Sequence, residues 1–403
     1  MLFDPTRHEA LKSLAWDEAL AQAAINRIVR DTEANFSAES HWPIHPQDAD
    51  HGERQPFFPL YFGACGVVWA LCYLEAAGQA KLTRSYTNYV ECLLPLNRSW
   101  LGSRGGSDFA SYLMGDTGIL LLSYWLRPTS EKAEKLEALI SHNLDNPTRE
   151  LMWGSPGTLL AAEFLHEDTG EARWAELFRA TARKLWSQLL WSEEYDCHYW
   201  TQDMYGQQSS YLDAVHGFVA TAVPLIRGRH LLIADEWSAW EKCISNTVQR
   251  SATLEGTLAN WRVFLNPPEG GAPHWYVQHC HGAPGFVVCL AELPCAEIEE
   301  LMLAAGETIW AAGPLAKGSN LCHGTAGNGY AFLKLFQRTQ DSKWLERARA
   351  FAMHALAQSE SAATQYGQLR YSLWTGDLGL AIYLWDCIRG RGEFPSLDVF
   401  FTH

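Results

Sequence analysis

The sequence predicts an all-α fold, an α/α toroid of seven helical hairpins with residues 1–403 as one domain. Two observations carry this expectation. A Gly-x-x-Gly turn followed by an apolar run recurs along the chain, and the segments between the turns are apolar at helical spacing. A third makes it affordable: 47 % apolar and 19 % charged residues is the balance of a chain that buries a large core.

In chain order the turns are GACGVVWAL from Gly63, GDTGILLL from Gly115, GSPGTLLAA from Gly154, HGFVATAVPL around Gly217, GAPGFVVCL from Gly282, GTAGNGYAFL from Gly324 and GDLGLAIYL from Gly376. The fourth has Ala220 where the others have a second glycine. The runs after the glycines are apolar nearly all round, which predicts buried inner helices. The segments between them carry a single stripe. Glu171–Leu190 places Trp174, Leu177, Phe178, Ala182, Leu185, Trp186 and Leu189 on one face, and Lys343–Ala357 repeats the pattern with Trp344, Leu345, Ala348, Phe351, Ala352, Ala355 and Leu356. These predict outer amphipathic helices. Glycine suits turns where crowded inner helices begin close together, and the helix N-termini are expected to leave free N–H groups facing the centre. Residues 37–59 and 260–275 read as irregular loops near the barrel mouth, the second as a rim or lid.

Composition excludes several classes. The net charge of −15 speaks against nucleic acid as a partner and against an electrostatic membrane anchor. No apolar run reaches about 18 residues, so no integral membrane segment is expected. The N-terminus lacks a signal-peptide pattern, and Leu2 excludes N-myristoylation. Ten cysteines are too sparse for a disulfide scaffold, which suggests reduced thiols and a cytoplasmic location. Cys72, Cys92 and Cys289 stand in apolar runs and read as small buried hydrophobes.

The chemistry concentrates in two turns with one pattern, CHGxxG: Cys280-His281-Gly282-Ala283-Pro284-Gly285 and Cys322-His323-Gly324-Thr325-Ala326-Gly327. Thiolate and imidazole suit zinc, and the duplication places Cys280, His281, Cys322 and His323 at equivalent points facing the axis. Four protein ligands would make a structural site, and three would leave a position for water or substrate. Asp116 of GDTG and Asp377 of GDLG sit at helix N-termini, where they cap the helix or, for Asp116, contact substrate.

The seven turns, CHGAPG, CHGTAG, GDTG, the AVHG element at residues 214–217 and the ending YSLWTGDLGLAIYLW…FPSLDVF together resemble the lanthionine synthetase C-like family, along essentially the whole chain. They are more similar to its stand-alone, glutathione-using branch than to the nisin-type cyclases. The resemblance implies one zinc at the mouth of the toroid, held by Cys280, Cys322 and His323, with His281 beside the metal. It implies activation of a thiol and its addition to dehydroalanine or dehydrobutyrine in a peptide or protein, with glutathione as the thiol. The alternative thiol is a cysteine of the same peptide, which closes a lanthionine ring. It also implies that His216, the histidine of the HG element, faces the cavity as an acid for the enolate, with His281 as second candidate. Lys317, five residues before Cys322, is implied as a contact for a substrate carboxylate. The sequence departs from the family in having His279 where a tryptophan is usual, in Ala220, in lacking an arginine just before Phe3-Asp4-Pro5, and in an Arg370 out of register with the arginine before the last turn.

Other classes fit less well. A sugar-active toroid needs two carboxylates across a cleft, and only Asp116 and Asp377 were in register for that role. A prenyltransferase-like toroid would bring a carboxylate among its zinc ligands. A non-catalytic protein that binds zinc and glutathione would use the same ligands as the enzyme, so turnover separates the two.

Overall fold

The computed structural model describes residues 1–49, 56–105, 109–267 and 274–402. Parts of both expected loops, 50–55 and 268–273, lie outside the described residues, and so does any lid formed by the latter. Among the described residues there are fourteen α-helices in alternating roles. The inner ones are α2 (Ala64–Ala76), α4 (Asp116–Leu126), α6 (Ser155–Thr169), α8 (Phe218–Arg227), α10 (Ala283–Leu290), α12 (Thr325–Thr339) and α14 (Asp377–Arg389). Each begins at one of the seven glycine turns. The outer ones are α1 (Glu18–Ala34), α3 (Thr87–Gly102), α5 (Ser130–Asn143), α7 (Ala172–Ser187), α9 (Ala234–Ser251), α11 (Glu299–Ala312) and α13 (Ser342–Tyr366). Each inner helix packs on the next, and α14 packs on α2 and α1, so the ring closes. The seven-hairpin toroid expected from the sequence is the fold.

The second glycine, present in six of the seven turns, has a steric cause. A Cβ at Gly327 would strike the Leu321 carbonyl six residues back and press on His279 of the neighbouring turn; at Gly285 it would strike the His279 carbonyl and Ala214 of the next turn. Close approach between turns, rather than loop termination, sets the repeat.

Three expectations need correction. In six of the seven inner helices the first N–H group is not free. Those of Ala64, Asp116, Phe218, Thr325 and Asp377 donate to the carbonyls of Phe57, Phe109, Tyr211, Gly318 and Arg370, each seven residues back, and that of Ala283 to Asn260 Oδ1. The chain before each helix winds into a loop that satisfies them locally. Cys289 is buried as expected, but Cys72 is half-buried and Cys92 exposed, because α3 is an outer helix and Cys92 is on its solvent side. The segment 260–275 is not loop throughout: Asn260 and Trp261 end strand β6 (Leu258–Trp261), which pairs antiparallel with β5 (Ala252–Glu255). Three further two-stranded pairs occur: β1 (Leu190–Ser192) with β2 (Cys197–Tyr199), β3 (Gln202–Met204) with β4 (Gln207–Ser209), and β7 (Val277–Gln278) with β8 (His281–Gly282).

Candidate metal centre and active site

Counting back from the first glycine of each turn gives the mouth a common register. One residue before it stand Phe62, Met114, Trp153, His216, His281, His323 and Thr375; two before it, Tyr61, Leu113, Met152, Val215, Cys280, Cys322 and Trp374. Backbone bonds lace five of the latter together. Tyr61 N–H donates to Leu113 C=O (3.0 Å), Trp374 N–H to Tyr61 C=O (3.0 Å), Cys322 N–H to Trp374 C=O (2.9 Å) and Cys280 N–H to Cys322 C=O (2.9 Å). This girdle fixes the spacing of the turns and thereby the positions of the two sulfurs.

Ligand atoms of Cys280, Cys322 and His323 all lie within 4.8 Å of one another. Two thiols and an imidazole form a soft donor set that fits a zinc ion and leaves a fourth position open. Both sulfurs accept a hydrogen bond. Tyr61 Oη donates to Cys322 Sγ (2.7 Å) and Gln278 Nε2 to Cys280 Sγ (3.0 Å). Gln278 Oε1 in turn accepts from Arg7 Nη2 (3.0 Å), and the Arg7 guanidinium lies 4.4 Å from the centre of the Tyr276 ring. Arg7 is delivered by a short 3₁₀ helix, Pro5–Arg7, capped by Asp4 and tied down where Ala316 N–H donates to Arg7 C=O. A hydrogen bond from Cys280 pulls the Cys322 thiol well below the usual thiol range against its burial, with His323 and Tyr61 adding to the pull; the same bond raises Cys280.

The two candidate acids are each oriented by a fully buried carboxylate. His216 Nδ1 lies 2.8 Å from Glu150 Oε2, and His281 Nδ1 2.8 Å from Asp213 Oδ2. Asp213 Oδ1 also accepts the N–H groups of Val215 and His216 (3.0 and 2.7 Å). Burial works against a charge on His216, but the Glu150 bond and charge, with Asp213 and Cys322, raise its pKa to about 9. Burial would raise Asp213; the charge and hydrogen bond of His281 hold it below the usual carboxylate range. Fixing Nδ1 against a carboxylate leaves Nε2 as the nitrogen for chemistry. The partner of His216 is a carboxylate and not a loop carbonyl.

Lys317 and Arg370 line one cavity of about 250 Å³, with Asn320 and Thr375 of the sixth and seventh turns in its wall. Arg370, out of register in sequence, is brought to Lys317 by the fold and held by Asp48 (Nε–Oδ2 2.8 Å). Asp116 is not brought to this group. It is fully buried and its partner is Arg98 of α3 (2.5 Å), so its setting is structural. Asp377 is likewise taken, by Ser359 Oγ (2.6 Å) and the N–H of Arg370 (2.8 Å). His279 is fully buried and stacks on Phe394 (centroids 4.4 Å apart), an aromatic filler whose pKa burial pushes down to about 4.

Glu150, Asp213, Tyr61, Gln278 and Arg7 were not singled out from sequence. A signal for Glu150 and Asp213 exists: both stand four residues before a first glycine, as do Gln278 and Asn320. From that position Glu150, Asp213 and Asn320 each accept the N–H three residues on.

The family model described as lanthionine synthetase C-like protein matches residues 58–399. A protein of Danio rerio named glutathione S-transferase LANCL1 is 32 % identical over 197 residues, 48 % of this chain and 47 % of that one. LanC-like protein GCL1 of Arabidopsis thaliana is 35 % identical over 140 residues, 32 % of each. The chain thus spans under half the length of either relative. Among solved structures, nisin cyclase aligns over 93 % of this chain and 100 % of its own, with a TM-score of 0.54 and 13 % identity, a likeness of fold.

Proposed function

The chain belongs to the lanthionine synthetase C-like family, and from that premise we propose that it is a zinc-dependent, C–S bond-forming enzyme that adds a thiol, glutathione first, to dehydroalanine or dehydrobutyrine residues of peptides or proteins in the cytoplasm. The observation that carries this reading is the meeting of Cys280, Cys322 and His323 within 4.8 Å. Zinc held by them would supply a Lewis acid that lowers the pKa of an incoming thiol, whose proton passes to solvent at neutral pH.

The chain's own groups account for the remaining steps. The thiolate sulfur attacks the β-carbon of the dehydrated residue, the C=C electrons move toward the carbonyl as an enolate, and a proton is added at Cα. His216, held by Glu150 and carrying a proton up to about pH 9, is the donor best prepared for that transfer. His281, held by Asp213, is its neighbour in the register and the second candidate. The cavity with Lys317 and Arg370 also holds Lys12 and Glu9, and Arg370 is already paired with Asp48, so Lys317 and Lys12 are the groups offered to the carboxylates of glutathione, which a surface of net charge −15 would otherwise repel.

Incubation of the protein with a dehydroalanine peptide, with and without glutathione, tests the reading by mass. The expected product carries one added glutathione. Ring closure of a cysteine-containing peptide without glutathione addition would make the chain a cyclase, and glutathione binding without any product would make it a binding protein. Lys317→Ala should lower kcat/KM for glutathione about 10- to 150-fold, the worth of one charge-assisted contact, and spare mercaptoethanol. Equal losses for both thiols would remove Lys317 from the thiol site.

A further inference from the structure

The register at the mouth divides into two halves of opposite character. One residue before the first glycine, turns four, five and six present His216, His281 and His323, whereas turns one, two and three present Phe62, Met114 and Trp153. Phe62 of the aromatic half opens into a cleft of about 520 Å³, lined by the rings of Phe57, Phe62, Trp100 and Tyr205 and by Gln47, Asp48, Arg104 and Thr375, with the Arg104 guanidinium 4.3 Å from the centre of the Trp100 ring. Gln47 and Thr375 also line the cavity of Lys317 and Arg370, so the two spaces adjoin.

The cleft is a built surface. Phe57, Phe62 and Trp100 meet edge to face, with ring centres 4.8 Å apart for the phenylalanine pair and 5.8 Å apart from each to Trp100. Tyr205 stands at the tip of the β3–β4 hairpin, where it and Gly206 both have positive φ (54° and 74°), the backbone of a two-residue turn. It is 73 % exposed, yet its hydroxyl is fixed by Trp153 Nε1 at 3.0 Å. A large aromatic side chain is thus held in solvent beside Phe62, at a positive φ that tyrosine seldom adopts, and among the described residues it is anchored through its hydroxyl.

The cleft is also coupled to the sulfurs. Tyr61, which donates to Cys322 Sγ, packs on Phe62 with ring centres 5.7 Å apart. A molecule lying on Phe62 is therefore two side chains from Cys322.

We propose that this aromatic shelf seats the electrophilic peptide and selects a bulky apolar or aromatic side chain next to its dehydrated residue. The inference rests on the thiol-addition reading and names the substrate class for it. The adjoining cavity offers Lys12 and Lys317 to the carboxylates of the thiol, beside Glu9 and an Arg370 already paired with Asp48, whereas the shelf offers mainly rings, with its arginine, Arg104, laid on Trp100. An extended peptide crossing the mouth would lay one side chain on Phe62, Trp100 and Tyr205 and bring the neighbouring residue over the Cys280–Cys322–His323 group.

The experiment uses two dehydroalanine peptides, one with phenylalanine beside the dehydrated residue and one with glycine, and glutathione as thiol. The expected result is a kcat/KM ratio of about 10 or more in favour of the phenylalanine peptide, collapsing toward one in Tyr205→Ala and in Phe62→Ala. Because the ratio compares two substrates on one variant, a partial loss of folding or of zinc leaves it unmoved. Equal kcat/KM for the two peptides in the parent overturns the shelf and leaves thiol addition standing. If no peptide gains mass, the thiol-addition reading fails, and titration of the corresponding alanine peptides by calorimetry decides the shelf. Saturable binding of the phenylalanine peptide that Tyr205→Ala weakens upholds it; equal or absent binding of both overturns it.

Discussion

The two ends of the toroid both bury charge, and they do it differently. At the C-terminal ends of the inner helices, Arg227 pairs with Glu163 (3.1 Å), Lys334 with Asp398 (2.9 Å) and Glu292 (3.1 Å), and Arg389 with Asp386 (2.6 Å). The C-terminal tail supplies Asp398 to this end and runs through the ring, with Phe394, Leu397 and Phe400 buried: Trp69 Nε1 donates to Phe400 C=O, while Phe394 stacks on His279 and Trp374 Nε1 donates to Ser396 Oγ beneath the mouth. The cations there are lysine and arginine, charged at any physiological pH. At the mouth the carboxylates Glu150 and Asp213 are buried as deeply, but their partners are histidines. A lysine or arginine keeps its proton and holds a structure; a histidine holds a proton that can be handed over. The same fold thus keeps a structural and a chemical charge cluster at opposite ends of one set of helices.

The largest effect expected at the mouth is loss of the metal. Cys280→Ala, Cys322→Ala or His323→Ala should each abolish bound zinc and activity, read by metal analysis, with little change in the unfolding midpoint because helix packing builds the site. Full zinc retention in the Cys280→Ala/Cys322→Ala double variant would end the assignment.

Next in size is the proton donor. His216→Ala should retain zinc and lose about 10²–10⁴-fold in turnover. With its pKa raised from 6.5 to about 9, His216 is charged below that value, so parental activity should fall as pH rises through about 9. The stability it contributes is fully present below 6.5 and disappears over the same upper window. That alkaline limb should vanish in the variant. A full-activity His216→Ala enzyme would pass the role to His281.

At the far end, Lys334→Met leaves the largely buried Asp398 without its cation, while Glu292 stays exposed to solvent, and should destabilise the fold by about 3–5 kcal/mol in denaturant titration. Zinc content of the folded fraction should be unchanged. Zinc loss at full stability would show that the two ends are not separate systems.

What could be read from sequence follows the same division. The toroid was legible because seven glycine turns repeat for a steric reason, and Cys280, Cys322 and His323 because a chemical motif was duplicated inside that repeat. Glu150 and Asp213 were not, since one acidic residue in a loop carries no meaning until the turns are stacked and counted from their glycines. The N–H groups expected to be free were misjudged because the loops are long enough to return a carbonyl from seven residues back. Arg7 was beyond any local pattern: it meets Gln278 across 271 positions, through the closure of the ring.

The smallest effect tests that last contact. Arg7 touches neither sulfur; it holds Gln278, whose amide donates to Cys280 Sγ. A donor to a coordinating thiolate spreads its charge and fixes its direction, and loss of such an outer partner typically weakens metal binding 10- to 100-fold. Arg7 acts one bond further out, so Arg7→Ala should raise the zinc dissociation constant about 10-fold or less, and Gln278→Leu by more. Competition with a chelating dye measures both. Cobalt substitution adds a readout indifferent to turnover, because the sulfur-to-metal charge-transfer band should shift in Gln278→Leu and less in Arg7→Ala. Tyr61→Phe supplies the matching case at Cys322, where the hydroxyl is lost and the ring retained. If the cobalt spectrum and zinc affinity of all three variants equal those of the parent, these donors serve the fold alone, and the mouth is organised by its carboxylate–histidine pairs without help from the N-terminal segment.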